Sequence, residues 1–354
     1  FYLKVAFMPA LPQSLLRAVQ YNCDVSDAQH AGSYTLCIYL MHMREYCRWH
    51  QRLGLEAVLG AAEVGEWVDA RERQWAGLQQ ADYQELPIFG HRVDPFDADT
   101  VNDWLVPRGY CYSAGLGRLG KPVFFIGELI RVENGEGYRL FQTGAELVRE
   151  LMAPPAMTRG DVIWIRRESL RRVLWEMIDE WRWKKPRNAM SRVLDCYGFA
   201  GDAETALQRM TDEFTETVIL HELGELVCGR WLGDDWERML QALGPSVAEV
   251  LARAVRDHLA DCVTVLPALL AQEEQAPLHF YFASMTPARK QLFPALYNAY
   301  QDWLGDGNRA LLKQAVRQGQ GHWRAGANAI LSAYRSQGAD AGESIAGLAE
   351  QLAL

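Results

Sequence analysis

The chain has 354 residues, 49% hydrophobic and 23% charged, with a net charge of −9. That length supplies core for one large domain or two ordinary ones, and the acidic balance argues against a general binder of nucleic acid or of anionic membranes, which are themselves negative. Seven cysteines (23, 37, 47, 111, 196, 228 and 262) are odd in number, scattered and without a C-x-x-C pair, as expected of reduced thiols in a cytoplasmic protein rather than a disulfide framework.

No apolar run is long enough to span a bilayer. Residues 1–7 are short, apolar and without secretory architecture, and read as an extension ahead of Met8. A first helix is expected over about 12–21 and a second from Ser26 or Asp27 through His50. The second is apolar almost all round between Tyr34 and Met43, which predicts a buried element. A third, over 61–78, carries Val64, Trp67, Val68 and Trp75 on one face, and residues 85–95 read as a loop from their Pro, Gly and Asp. The clear β text follows: 122–133 and 138–141 flank Asn134-Gly135-Glu136-Gly137 and predict a hairpin with Asn-Gly in its turn, and 162–166 predicts another strand. Helices resume at 168–183, 203–231, 236–243 and 247–272, with shorter ones beyond. The expected fold is α+β, predominantly helical, with a small antiparallel sheet in the middle of the chain. Its regions are 1–106 (helical), 107–166 (β) and 167–354 (helical), which also suit one integrated domain.

Residues 218–228 read Val-Ile-Leu-His-Glu-Leu-Gly-Glu-Leu-Val-Cys, a greasy helical stretch with three metal-competent side chains. His221 and Glu225 are four apart and project from one face, with Glu222 a rotated step away. Such groups are costly to bury unless paired or metal-bound. The spelling His221-Glu222-Leu223-Gly224-Glu225 resembles the zincin metallopeptidase helix, in which H-E-x-x-H supplies two zinc ligands and a general-base Glu. Glu225 replaces the second His, and a carboxylate also ligates zinc. The resemblance implies His221 and Glu225 as ligands and Glu222 as the catalytic base. Further ligands are expected from 247–272, where His258 and Asp261 share a face.

Two alternatives stand beside zinc. In a ferritin-like di-iron protein, carboxylate-His pairs on antiparallel helices hold iron; here the order is inverted, as His42-x-x-Glu45 and His258-x-x-Asp261. In a non-catalytic scaffold or assembly protein, the same residues form a buried polar network that serves folding specificity. Arg44 and Arg48, near the end of the second helix, offer an anion clamp or a helix-end ion cluster.

Gly115-Leu-Gly117-Arg-Leu-Gly120 spells G-x-G-x-x-G, but Pro122 and a strand follow, so a hairpin turn is expected rather than a dinucleotide site. Trp181 to Arg187 is basic and aromatic, yet in an acidic chain it reads as a helix C-terminus and solvated loop. No serine elbow occurs. The text from Gln20 to Asp27, Leu36 to Leu40, Met43 to Tyr46 and Arg48-Trp49 resembles a group of bacterial proteins of unassigned function. The expectation is a bacterial cytoplasmic metal-binding protein. Zinc-dependent hydrolysis of a small molecule or peptide is its enzymatic form, with no nucleic-acid or membrane partner.

Overall fold

The computed structural model describes residues 10–117 and 120–354. The stretch ahead of Met8, and Arg118 and Leu119 in the glycine-rich segment, lie outside the described residues. The chain is predominantly helical with two small sheets, and divides into the compact units Phe1–Glu176 and Met177–Leu354.

In the first unit come α1 (Gln13–His30), α2 (Leu36–His50) and α3 (Ala61–Ala76), then β1 (Leu86–Ile88), β2 (His91–Val93) and α4 (Ala98–Leu105). The strands β3 (Tyr110–Leu116), β4 (Pro122–Gly135), β5 (Tyr138–Val148), β6 (Ala156–Arg159) and β7 (Val162–Arg166) follow, and α5 (Arg167–Lys184) begins directly after β7. The five strands order β3-β4-β5-β7-β6, antiparallel except for the parallel pair β5 and β7. Alternation along β4 explains how this sheet is covered: Phe124 and Ile126 join Leu15, Val19, Val101 and Tyr112 in one cluster, while Phe125 joins Cys111, Phe141 and Trp164 in another. The helical region 8–106 and the β region 107–166 therefore share a core, with Leu86 and Leu105 packed beside Phe124.

Several local expectations are corrected. The first helix runs on to His30, and the chain turns at Ala31–Ser33, where Gly32 and Ser33 favour a break. Leu36 (71% exposed), Ile38, Leu40 and Met41 are exposed, so the apolar half of α2 is not a buried element. Residues 85–95 hold the two-stranded β1–β2 hairpin, whose strands are too short for alternation to show in the sequence. In the β4–β5 hairpin Asn134 pairs with Arg139 and Gly135 with Tyr138, which leaves Glu136-Gly137 as the turn, with Gly137 at φ 75°. A Cβ on Gly135 would lie 2.0 Å from the Tyr138 ring, so this glycine is needed for packing rather than for turning.

The second unit is helical throughout: α6 (Ala189–Tyr197), α7 (Ala203–Leu232), α8 (Asp234–Leu243), α9 (Val247–Val263), α10 (Val265–Ala271), α11 (Ala276–Ser284), α12 (Pro287–Leu292), α13 (Pro294–Asp306), α14 (Ala310–Gln337) and α15 (Gly342–Ala346). Asp202 caps α7 by accepting from Thr205 N at 3.0 Å, and Ser246 caps α9 by accepting from Glu249 N at 3.1 Å. Trp236, Leu259, Leu266, Phe282, Tyr300 and Trp323 anchor its core. The helix expected over 247–272 is broken at Thr264. Pro267 has no N–H for the carbonyl of Val263 and its ring crowds that carbonyl, which ends α9 there.

Candidate metal centre

The centre lies where α7 crosses α9. Gly224 makes the crossing close: a Cβ there would sit 2.5 Å from Thr264 Oγ1 and 2.7 Å from the Ala260 carbonyl oxygen. Thr264 Oγ1 donates to the carbonyl of Leu220 at 2.7 Å and adds a polar tie. His221 and Glu225 flank Gly224 on one helix, and Asp257 and Asp261 flank Ala260 on the other. Each pair has i,i+4 spacing, so all four carboxyl and imidazole groups face one seam.

Within the seam, His221 Nδ1 is 2.7 Å from Asp261 Oδ1, and His221 Nε2 is 3.5 Å from Glu225 Oε1. One ligand-competent atom from each of His221, Glu225 and Asp257 lies within 4.8 Å of the others, the one such group found among the described residues. The group is half-buried, with His221 27% and Glu225 18% exposed at the side chain. Arg256 Nη2 binds Glu225 Oε1 at 2.7 Å and Arg256 Nη1 reaches Glu237 at 3.3 Å. Arg289 pairs with Asp261 and donates to Tyr281 Oη at 3.2 Å.

These contacts set the protonation. Burial opposes charge on His221, but Asp261 and then Glu225 outweigh it and hold its pKa well above the usual value. Burial likewise opposes the Asp261 carboxylate, and Arg289 with His221 brings its pKa well below normal. Glu225 is brought to about 2 against burial by Arg256 and His221. Asp257 is raised by burial, the nearby His221 only partly offsetting it.

The two sequence pairs have separate fates. Asp261 is present but as the partner that orients His221, and Asp257, missed in the sequence, faces the seam. The signal for it was there: Asp257 and Asp261 repeat the i,i+4 spacing of His221 and Glu225. His258 is fully buried elsewhere, stacked on Trp323 with ring centroids 4.8 Å apart, and its Nε2 lies 2.9 Å from the Arg289 carbonyl oxygen. Burial, then Arg289, lowers its pKa to about 3, so it is neutral at pH 7. Glu222 is buried and close enough to Arg256 to help keep that guanidinium charged.

His42 and Glu45 belong to the first unit, and His258 and Asp261 to the second. Glu45 is occupied by Arg44 Nε at 2.9 Å and Arg48 Nε at 3.0 Å. Arg48 Nη1 also donates to the carbonyls of Gly54 (2.8 Å) and Ala57 (2.7 Å), which fastens the loop after α2. The glycines 115 and 117 sit at the β3–β4 hairpin, where Gly117 N donates to Lys121 O at 2.7 Å.

Fold and site together define a two-unit α+β protein with a half-buried His/Glu/Asp cluster on crossed helices. The chain belongs to the family of unknown function DUF6866: residues 14–166 match its N-terminal domain and residues 171–352 its C-terminal domain. No curated protein and no solved structure matches it.

Proposed function

We propose that the C-terminal unit is a divalent-cation centre in which His221 Nε2, Glu225 and Asp257 hold the ion. The carrying observation is that Asp261 occupies His221 Nδ1 at 2.7 Å, which leaves Nε2, 3.5 Å from Glu225 Oε1, as the nitrogen available to an ion. A carboxylate behind a ligating imidazole is the usual means of fixing its tautomer and raising its basicity. One imidazole with two carboxylates fits zinc, with iron as the alternative, and half-burial leaves a position open to solvent. A bound ion would supply Lewis acidity there. For the chain's own residues, Asp261 orients His221, Arg289 holds Asp261, and Arg256 holds Glu225.

Hydrolysis of a peptide or small molecule, the activity implied by the zincin resemblance, rests on Glu222 as proton acceptor. The seven free cysteines are in keeping with a reducing, cytoplasmic bacterial setting. Among the described residues no helix is long and apolar enough to cross a membrane. A second reading is favoured by one observation: Arg256 and Arg289 already compensate Glu225 and Asp261. The cluster would then be a closed ion network in a scaffold protein.

Elemental mass spectrometry on protein purified without an affinity-metal column decides between them. The metal centre predicts about one equivalent of zinc or iron per chain, lost in His221→Ala and in Asp257→Asn. Protein that stays folded but metal-free, even after incubation with zinc or ferrous iron, sinks the proposal and leaves the scaffold. In a metal-loaded protein, Glu222→Gln that retains metal and loses peptide or ester hydrolysis would establish the base.

A further inference from the structure

The N-terminal unit contains an ion layer that the metal centre does not use. Arg166, fully buried at the end of β7, grips Glu146 side-on, Nε to Oε1 at 2.9 Å and Nη2 to Oε2 at 2.8 Å, and places Nη1 on Glu150 Oε1 at 2.8 Å. Asp27, equally buried, pairs with Lys121 and accepts from Leu151 N at 2.9 Å. Lys121 Nζ donates onward to Tyr34 Oη at 3.1 Å. Each of these charges has its partner, as burial requires.

Arg149 does not. It is 1% exposed, with its guanidinium 5.4 Å from the Tyr46 ring centroid and 5.1 Å from that of Trp49. Among the described residues its Nε and Nη2 have no hydrogen-bond partner. These are the same two nitrogens with which Arg166 holds Glu146, a fork matched to two oxygens of one carboxylate or phosphate. Two further nitrogens are bare nearby. Arg172 places Nη2 on the carbonyls of Met152 (2.8 Å) and Ala153 (2.9 Å) and Nη1 on Glu176, but its Nε has no partner. His42 Nδ1, also buried, has none.

His42 lies one helical turn before Tyr46, whose ring the Arg149 guanidinium faces, and Arg172 binds the carbonyls of Met152 and Ala153, three and four residues after Arg149. Burial, followed by Arg172, Arg149 and Lys121, brings His42 down to about 4, and Arg149 is itself lowered by burial and by Arg172. Glu146 acts on Arg149 and Glu45 on His42 from nearby, but no carboxylate takes the Arg149 fork. Glu150 Oε2 is a bare acceptor in the same layer, suited to the hydroxyl of a protonated phosphate or of a hydroxy acid.

We propose that Arg149, with Arg172 and His42, forms a buried receptor for a small oxyanion, a phosphate or a carboxylate, gripped side-on by Arg149 Nε and Nη2. Tyr34 adjoins this group at His42. Tyr34 lines a cavity of about 430 Å³ with Ala28, Leu36, Tyr39 and Trp75. It also meets the His42 ring edge-on, with centroids 6.3 Å apart. This site is independent of the metal centre and shares no residue with it.

The test is calorimetric titration of the full chain with inorganic phosphate and, separately, succinate, against chloride at matched ionic strength. The expected result is saturable binding of at least one anion, retained in His221→Ala. Arg149→Lys keeps the charge and loses the fork, so it should weaken that binding about tenfold or more. Should Arg149→Lys fail to fold by circular dichroism, Arg172→Lys carries the same comparison. Phosphate binding alone assigns the site to phosphate compounds, and succinate alone to carboxylic acids. The proposal is overturned if neither anion binds, if the folded variants bind as tightly as wild type, or if binding vanishes in His221→Ala.

Discussion

Substituting Gly224 by Ala tests the crossing on which the proposed metal centre depends. In an unobstructed helix this change stabilises by about 1 kcal/mol, because alanine loses less backbone entropy on folding. At Gly224 the new methyl would lie 2.5 Å from Thr264 Oγ1, 2.7 Å from Ala260 O and 3.0 Å from Ala260 C. The Thr264 hydroxyl can rotate, but the Ala260 carbonyl is backbone, so α9 must move away from α7. Overpacking of this kind costs about 1–3 kcal/mol, which outweighs the propensity gain and sets the net sign as destabilising. Gly229 lies in the same helix with nothing within 4 Å of the place a methyl would take, so Gly229→Ala is the internal control and should stabilise. Thermal melts followed by circular dichroism should move the two variants in opposite directions, by about 2–4 °C per kcal/mol for a unit of this size. Gly224→Ala should also lose metal, since the separation between His221 and Asp257 widens. If both variants stabilise equally, the close crossing is wrong.

The roles of Asp257 and His258 separate cleanly. His258→Phe preserves the stack on Trp323 and should keep the full metal content, at a loss of about 1 kcal/mol for the hydrogen bond to Arg289 O; metal loss in this variant with Asp257→Asn unaffected would reverse the assignment. Glu168 gives a pH test. Burial, then the neighbouring Glu146, raises its pKa from 4.5 to about 7. A raised carboxyl contributes its stability in the protonated form, so that contribution is complete below about pH 4.5 and is lost as pH rises through about 7. The loss is at most about 3 kcal/mol, taking the full shift with no allowance for the side chain's partial exposure. Urea unfolding of Glu168→Gln should show a gain over wild type at pH 8 and little difference at pH 4.5. Equal gains at both values would refute the assignment.

The sequence by itself determined most of the element pattern. Periodicity marked α5, α7 and α8 to within two residues, and the β4–β5 hairpin was evident from its strand text, because these follow from local side-chain patterning. It also determined that His221 and Glu225 share a helix face, which needs only the rise and turn of a helix. What it left open were contacts set by other elements. The apolar run at Leu36 to Met41 could not reveal its exposure, since burial depends on what packs against a helix. Asp257 rather than His258 faces the seam because the Gly224–Ala260 crossing fixes the rotation of α9 against α7. The bare fork of Arg149 was invisible too, because its neighbours Tyr46, Trp49 and Arg172 are distant along the chain. Only the tertiary structure brings such groups together, for a side chain's partners are chosen by packing rather than by sequence spacing.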